Sequence, residues 1–278
     1  MPVLEVKNLA KRYPGFTLEG VSFSLEKGRI MGFIGRNGAG KTTTLKSLLN
    51  FVHPDAGEIR FFGMPFLENE IAVKKRIGYV SGATGFYMNK KIAVITDVTR
   101  RFYPDWDEGA YKRYLSLFEL DERKTPAQLS EGMKVKYALA LALSHKAELL
   151  LLDEPTSGLD PVSRDDLLDV FLVLAREGAS ILFSTHITSD LDKCADDITY
   201  IKKGRLVDSG DIRTFVGGYR ELALEESQIT DALKPRLIGC KRAKEGYTAL
   251  VTAADAQALG LAAKPADLES VMVHMERE

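Results

Sequence analysis

Apolar and polar residues alternate over residues 3–7 and again over 16–25, where F-T-L-E-G-V-S-F-S-L predicts a half-buried strand. Residues 30–34 form a short apolar run that stops at glycines, as a buried strand does, and 42–50 then carry Leu45, Leu48 and Leu49 at helical spacing. Short strands are expected at 57–62 and 76–80. From 91 to 144 the pattern turns helical, with helices expected at 92–102, at 108–118 after Pro104, and at 132–144. Strand patterns return at 149–152 and 180–184, around a helix at 163–175 whose S-R-D-D start suits capping and the helix dipole. Residues 198–207 read as a hairpin turning at Lys203-Gly204, and Gly217-Gly218 as a linker. The tail carries weaker strand patterns at 236–240 and 247–252 and a closing helix at 267–275. Nearly all-apolar strands alternating with helices predict an α/β fold on a mainly parallel sheet covered on both faces. The helical block reads as an insertion into it.

Two segments carry candidate chemistry. Residues 35–43 read G-R-N-G-A-G-K-T-T, directly after a predicted strand and opening a predicted helix. Gly35, Gly38 and Gly40 free backbone N–H groups, with those of Asn37 and Thr43, to wrap phosphates without Cβ clashes, and the helix N-terminus adds partial positive charge. Lys41 can reach β- and γ-phosphate oxygens, and the Thr42 hydroxyl can ligate Mg²⁺. Residues 149–154 read L-L-L-L-D-E, a buried strand ending in two carboxylates. Asp153 can hold Mg²⁺, and Glu154 can orient or deprotonate an attacking water. Together they predict a P-loop NTPase core.

Composition narrows the partners. With 38 basic and 39 acidic residues, the net charge of −1 speaks against a nucleic-acid partner held by bulk electrostatics. Cys194 and Cys240 stand far apart without metal-ligand spacing and read as reduced thiols. Residues 1–9 include Glu5 and Lys7 and no apolar core, so no signal peptide is expected. The longest apolar stretch, 137–152, is broken by His145, Lys146 and Glu148, so no run reaches the ~18 apolar residues of a membrane span.

The two segments belong to a fixed order of motifs, through which residues 3–210 resemble the ATP-binding subunit of an ATP-binding-cassette (ABC) transporter. L-S-E-G-M-K at 129–134 stands at the family's signature, and S-G-L-D at 157–160 at the loop that crosses to a partner subunit. His186, in F-S-T-H, matches the histidine closing the next strand, and Tyr13 the aromatic that stacks on adenine. Taken singly, these would be a helix cap, a strand-end histidine and a surface or core tyrosine. The resemblance implies an ATPase at residues 1–216, with an antiparallel β subdomain at its N-terminus and the helical subdomain at about 89–145. An α+β accessory region at 217–278 follows. It further implies ATP and Mg²⁺, and a head-to-tail homodimer or heterodimer. There Ser130, Gly132 and Asp160 serve the partner's nucleotide, while Lys41, Glu154 and His186 carry hydrolysis.

Two positions depart from the family pattern. Gly82 stands where the family has a glutamine, and Glu131 and Met133 alter the signature. A carboxylate near a triphosphate is unfavourable unless it points away or meets a cation. L-S-E-G-M-K and F-Y-P-D-W-D at 102–107 resemble a subset of bacterial ABC-2-type exporters. They imply an export motor on the inner face of the membrane, held there by a separate permease. Phe86, Tyr87, Met88, Phe102 and Tyr103 are candidates for the groove that receives it. The alternatives are an ATP-binding regulator of weak turnover and a soluble ABC protein acting on ribosomes or DNA. Replacing Lys41 by Ala removes a charge-assisted contact of roughly 1.5–3 kcal/mol, so ATP affinity is expected to fall about 10- to 100-fold in equilibrium binding.

Overall fold

A computed structural model describes residues 1–81 and 86–277. Three strands form the centre of the main sheet: β3 (Ile30–Ile34), β7 (Leu149–Asp153) and β8 (Ser180–Thr185). Every residue in them is buried, which is why they read as continuous apolar runs instead of alternating ones. They pair in parallel, with Ile34 opposite Thr185 and Asp153 opposite Ser184, so their carboxy-terminal ends lie level. β6 (Ile77–Ser81) extends this layer in parallel beside β7, and β9 (Asp197–Lys202) does so beside β3.

The remaining strands are β1 (Pro2–Tyr13), β2 (Phe16–Glu26), β4 (Ala56–Phe61), β5 (Met64–Pro65) and β10 (Arg205–Asp211). The ten-stranded order is β5-β4-β1-β2-β10-β9-β3-β8-β7-β6. β1, β2, β4 and β5 pair antiparallel, the N-terminal subdomain expected above. β1 is longer than its sequence pattern. Its register with β2 shifts between Val6 and Leu9, and Asn8 takes φ 50, so the alternation breaks while the strand continues.

Helices α1 (Lys41–Leu48), α2 (Glu70–Lys74), α5 (Glu131–Ser144), α6 (Pro161–Arg176) and α7 (Thr188–Cys194) pack on the sheet, while α3 (Ile92–Thr99) and α4 (Glu108–Leu117) complete the helical insertion. The helix expected over 92–102 ends at Thr99 and tightens into a 3₁₀ turn, Arg100–Phe102. The helix expected from Ser163 begins at Pro161, because Asp160 supplies the cap: its Oδ1 accepts the N–H groups of Val162 and Ser163, both at 3.0 Å. In the helical insertion, Thr96 Oγ1 lies 2.8 Å from both Tyr111 Oη and Tyr137 Oη, and Tyr137 Oη donates to Ile92 O at 3.0 Å.

The chain divides into two compact units, Met1–Ser209 and Gly210–Glu278. The second has its own antiparallel sheet, ordered β12 (Ile238–Arg242), β13 (Tyr247–Thr252), β11 (Tyr219–Leu224) and β14 (Lys264–Pro265). Its helices are α8 (Ile212–Gly217), α9 (Ala253–Ala258) and α10 (Leu268–Met275). Gly217 and Gly218 close α8 inside this unit, and the Gly218 carbonyl accepts Ala253 N–H at 2.8 Å. Gly239 has φ +56, and a Cβ there would lie 1.8 Å from the His274 carbonyl oxygen, so only glycine lets β12 meet α10. Leu151 is fully buried at the centre of β7. Leu151→Ala is expected to cost about 2–5 kcal/mol, read as a lower urea midpoint at unchanged slope.

Candidate nucleotide site

The level ends of β3, β7 and β8 place the candidate residues together. After β3 the chain turns through the glycine loop into α1. Gly40 is the residue before that helix, at φ 115, and a Cβ would meet the Phe16 ring at 3.0 Å. The first-turn N–H groups of α1 lack intrahelical acceptors, as at any helix start, and form an anion cradle. Lys41 is only 5% exposed. Its ammonium donates to Gly35 O at 2.8 Å and Arg36 O at 3.4 Å, and pairs with Glu154 Oε1 at 3.1 Å.

Glu154 is the hub of the site. Its other oxygen, Oε2, lies 2.8 Å from His186 Nδ1, and its backbone N–H donates to Ser184 Oγ at 2.9 Å. Its φ of 51 lies in the left-handed region, a strained setting for a non-glycine residue that aims the carboxylate back over the loop. Asp153, buried one residue earlier, accepts Thr42 Oγ1 at 3.0 Å and Ser184 Oγ at 2.8 Å on the same oxygen, Oδ1.

These groups border a cleft of ≈ 670 Å³ lined by Asn37, Gly38, Gly40, Lys41, Thr42, Thr43, Glu154 and His186, together with Gly15, Phe16 and Ser157. Phe16 and the bridging Ser184 carry no local signal in the sequence, and Ser157 reads there only as the start of the loop that crosses to a partner; the folded chain brings Phe16 and Ser157 to the cleft and Ser184 against Asp153 and Glu154. The fit to Mg²⁺ rests on donor chemistry: Thr42 hydroxyl and Asp153 carboxylate are hard oxygens already 3.0 Å apart. Among the described residues no cluster of three His, Cys, Asp or Glu side chains could hold a metal. A site with so few protein ligands suits an ion that keeps waters and binds phosphate.

The family model for ABC transporter matches residues 18–157, from the second strand past the acidic strand end. The chain belongs to this family. Bacitracin transport ATP-binding protein BcrA of Bacillus licheniformis is 33% identical over 210 residues, 74% of this chain and 69% of that protein. Nod factor export ATP-binding protein I of Burkholderia orbicola (strain AU 1054) is 33% identical over 213 residues, 74% and 70% of the two chains. A solved ATP-binding subunit of an ABC transporter superposes with TM-score 0.69 at 29% identity, covering 76% of this chain and 91% of that one. A dimeric ATP-binding cassette in a post-hydrolysis state with ADP and Pi has TM-score 0.67 at 20% identity, covering 76% and 99%, and shares the fold. The chain is thus an ATP-binding subunit of the ABC ATPase type.

The other ABC motif residues do not join the cleft. Ser130 caps α5, its Oγ accepting Met133 N–H at 3.2 Å, and Gly132 is buried in the first turn, where a Cβ would meet Leu159 at 3.5 Å. Glu131 meets a cation: its Oε1 pairs with Lys134 Nζ at 2.6 Å. Tyr13 ends β1, pairs with Phe16 across the hairpin and is 41% exposed, with Lys11 Nζ 5.8 Å from its ring centroid. Gly82 lies outside the described residues. Of the groove candidates, Phe86 and Tyr103 line a second cleft of ≈ 390 Å³ with Phe51, Tyr79 and His145, whereas Tyr87, Met88 and Phe102 are exposed beyond it.

Hydrogen bonds from Ser163 Oγ and from the Ser163 and Val162 N–H groups hold the Asp160 carboxyl below its ordinary pKa of 3.8. A lowered folded-state pKa stabilises fully above the unfolded value and loses that contribution as pH falls through the folded one. Asn caps equally well without titrating. The stability difference between Asp160→Asn and the parent chain is therefore expected to be constant above about pH 5 and to move in favour of Asn below about pH 4, in thermal unfolding against pH.

Proposed function

We propose that this chain is the motor of an ATP-driven exporter, working as one of two cassettes beneath a separate permease. The observation that carries the reading is the constellation at the strand ends. One carboxylate, Glu154, touches both Lys41 and His186, while Thr42 and Asp153 stand together beneath the loop. Lys41 binds and neutralises the β- and γ-phosphates. Glu154 accepts the proton of the attacking water, and His186, 2.8 Å away, orients that carboxylate. Thr42 and Asp153 would hold Mg²⁺, which supplies charge neutralisation at the phosphates when bound.

Ser130, Gly132 and Asp160 lie outside their own cleft, an arrangement that suits service to a second cassette, either another copy of this chain or a related subunit. The N-terminus of α5 is an anion site of the kind a γ-phosphate needs. The Glu131–Lys134 pair offsets the charge that the altered signature adds, which favours turnover over a weakly active regulator. Export as the direction is supported by relatives named for bacitracin transport and Nod factor export. No helix among the described residues is long and apolar enough to cross a membrane. Attachment to the inner membrane face would come through the permease, whose cytoplasmic helix would seat in the aromatic groove of Phe51, Tyr79, Phe86 and Tyr103. Glu154→Gln is expected to retain ATP binding, to slow steady-state hydrolysis by roughly 10²–10⁴, and to accumulate an ATP-bound dimer on size exclusion. Unchanged turnover would rule out Glu154 as the base.

A further inference from the structure

One buried charge has no place in either cleft. Asp190, in the first turn of α7, has no exposed surface. Its Oδ2 accepts Thr156 Oγ1 at 2.6 Å and Thr185 Oγ1 at 3.3 Å. Both threonines are themselves buried. Thr156 follows Glu154 by two residues, and Thr185 immediately precedes His186. The Thr185 hydroxyl also accepts Ile187 N–H at 3.0 Å, so it braces the backbone on both sides of His186.

The other oxygen, Oδ1, faces Arg164 Nε at 4.0 Å, and among the described residues neither atom has a hydrogen-bond partner. Arg164 lies in the first turn of α6, four residues after the cap Asp160. A buried carboxylate is tolerated only when polar groups compensate it, so Asp190 draws on groups from all three segments. An ordinary helix-start aspartate would cap its own helix in solvent. This one faces away from its helix into the strand ends.

We infer that Asp190 is a positioning residue for hydrolysis. Its carboxylate sets the backbones that carry Glu154 and His186, and at 4.0 Å it faces Arg164, whose Nη2 donates to Leu159 O at 3.5 Å in the loop at 157–160. The inference rests on the ATPase roles proposed for Glu154 and His186. It acts through geometry: the Glu154–His186 contact is 2.8 Å, and a displacement of ~1 Å at a catalytic group is enough to change rate by about 10²-fold.

The test uses Thr156→Val in the full chain, which keeps side-chain shape and removes the hydroxyl that Asp190 holds. Steady-state ATPase should show kcat lower by about tenfold with KM within about twofold. The stoichiometry of bound nucleotide should be unchanged. Thr156→Ser should restore the rate. Wild-type turnover in Thr156→Val overturns the inference. So does a slower rate that merely tracks loss of nucleotide-binding chains, since that is a stability effect. If Thr156→Val does not fold, Thr185→Val is read by the same criteria. A slow Glu154→Gln beside a wild-type Thr156→Val refutes the role of Asp190 alone, whereas a fast Glu154→Gln refutes the underlying assignment.

Discussion

Burying the Lys41 ammonium is the constraint on which the nucleotide end of the molecule depends. An ammonium removed from water costs several kcal/mol unless acceptors surround it. Here the Gly35 carbonyl comes from the loop and the Glu154 carboxylate from the end of β7, beyond the intervening β8. Glu154 reaches it only because β7 ends level with β3 and because the residue adopts φ 51, a conformation that costs about 1–3 kcal/mol. Ser184 holds that strained corner from the next strand, accepting Glu154 N–H while donating to Asp153. The parallel register of Asp153 with Ser184 therefore sets where the Glu154 carboxylate stands.

The helical insertion meets a different demand, which is to hold the start of α5 away from the cleft of its own glycine loop. Its interior is held by apolar packing and by the hydroxyl trio of Thr96, Tyr111 and Tyr137. Burial pushes both phenols well above the ordinary tyrosine range, so they remain protonated donors. Phe86 packs on the Tyr137 ring with centroids 5.0 Å apart, which connects the aromatic groove to that polar core. The second unit is built separately around Leu222, Leu224, Ala249, Val251 and Ala256, with α10 seated against Gly239.

Period and punctuation made most of the architecture legible. The all-leucine strand and the glycine loop announced a parallel core, because buried strands need no alternation and a tight turn to a helix needs glycine. Elements whose cause lies elsewhere in the chain were not legible. β11 sits in the middle of the second sheet, yet its pattern is too mixed to read as a strand. The strand expected at 236–240 begins at Ile238 because residues Lys234–Arg236, around Pro235, wind into a 3₁₀ turn. α6 is a local exception: the S-R-D-D run at 163–166 offers a start, but Asp160 caps the helix from Pro161.

The sequence by itself determined the chemistry. Gly35 to Thr43 and the Asp153–Glu154 pair carry residue types suited to phosphate, Mg²⁺ and water, and His186 joins them through the fixed order of motifs. Only the tertiary structure decided what those residues do to one another. Glu154 bridges Lys41 and His186, and Asp190 holds Thr156 and Thr185 and faces Arg164 across up to 34 residues of chain. The reason is physical: local spacing sets which groups a segment carries, whereas the partner of a buried charge is chosen by the register and packing of segments distant in sequence.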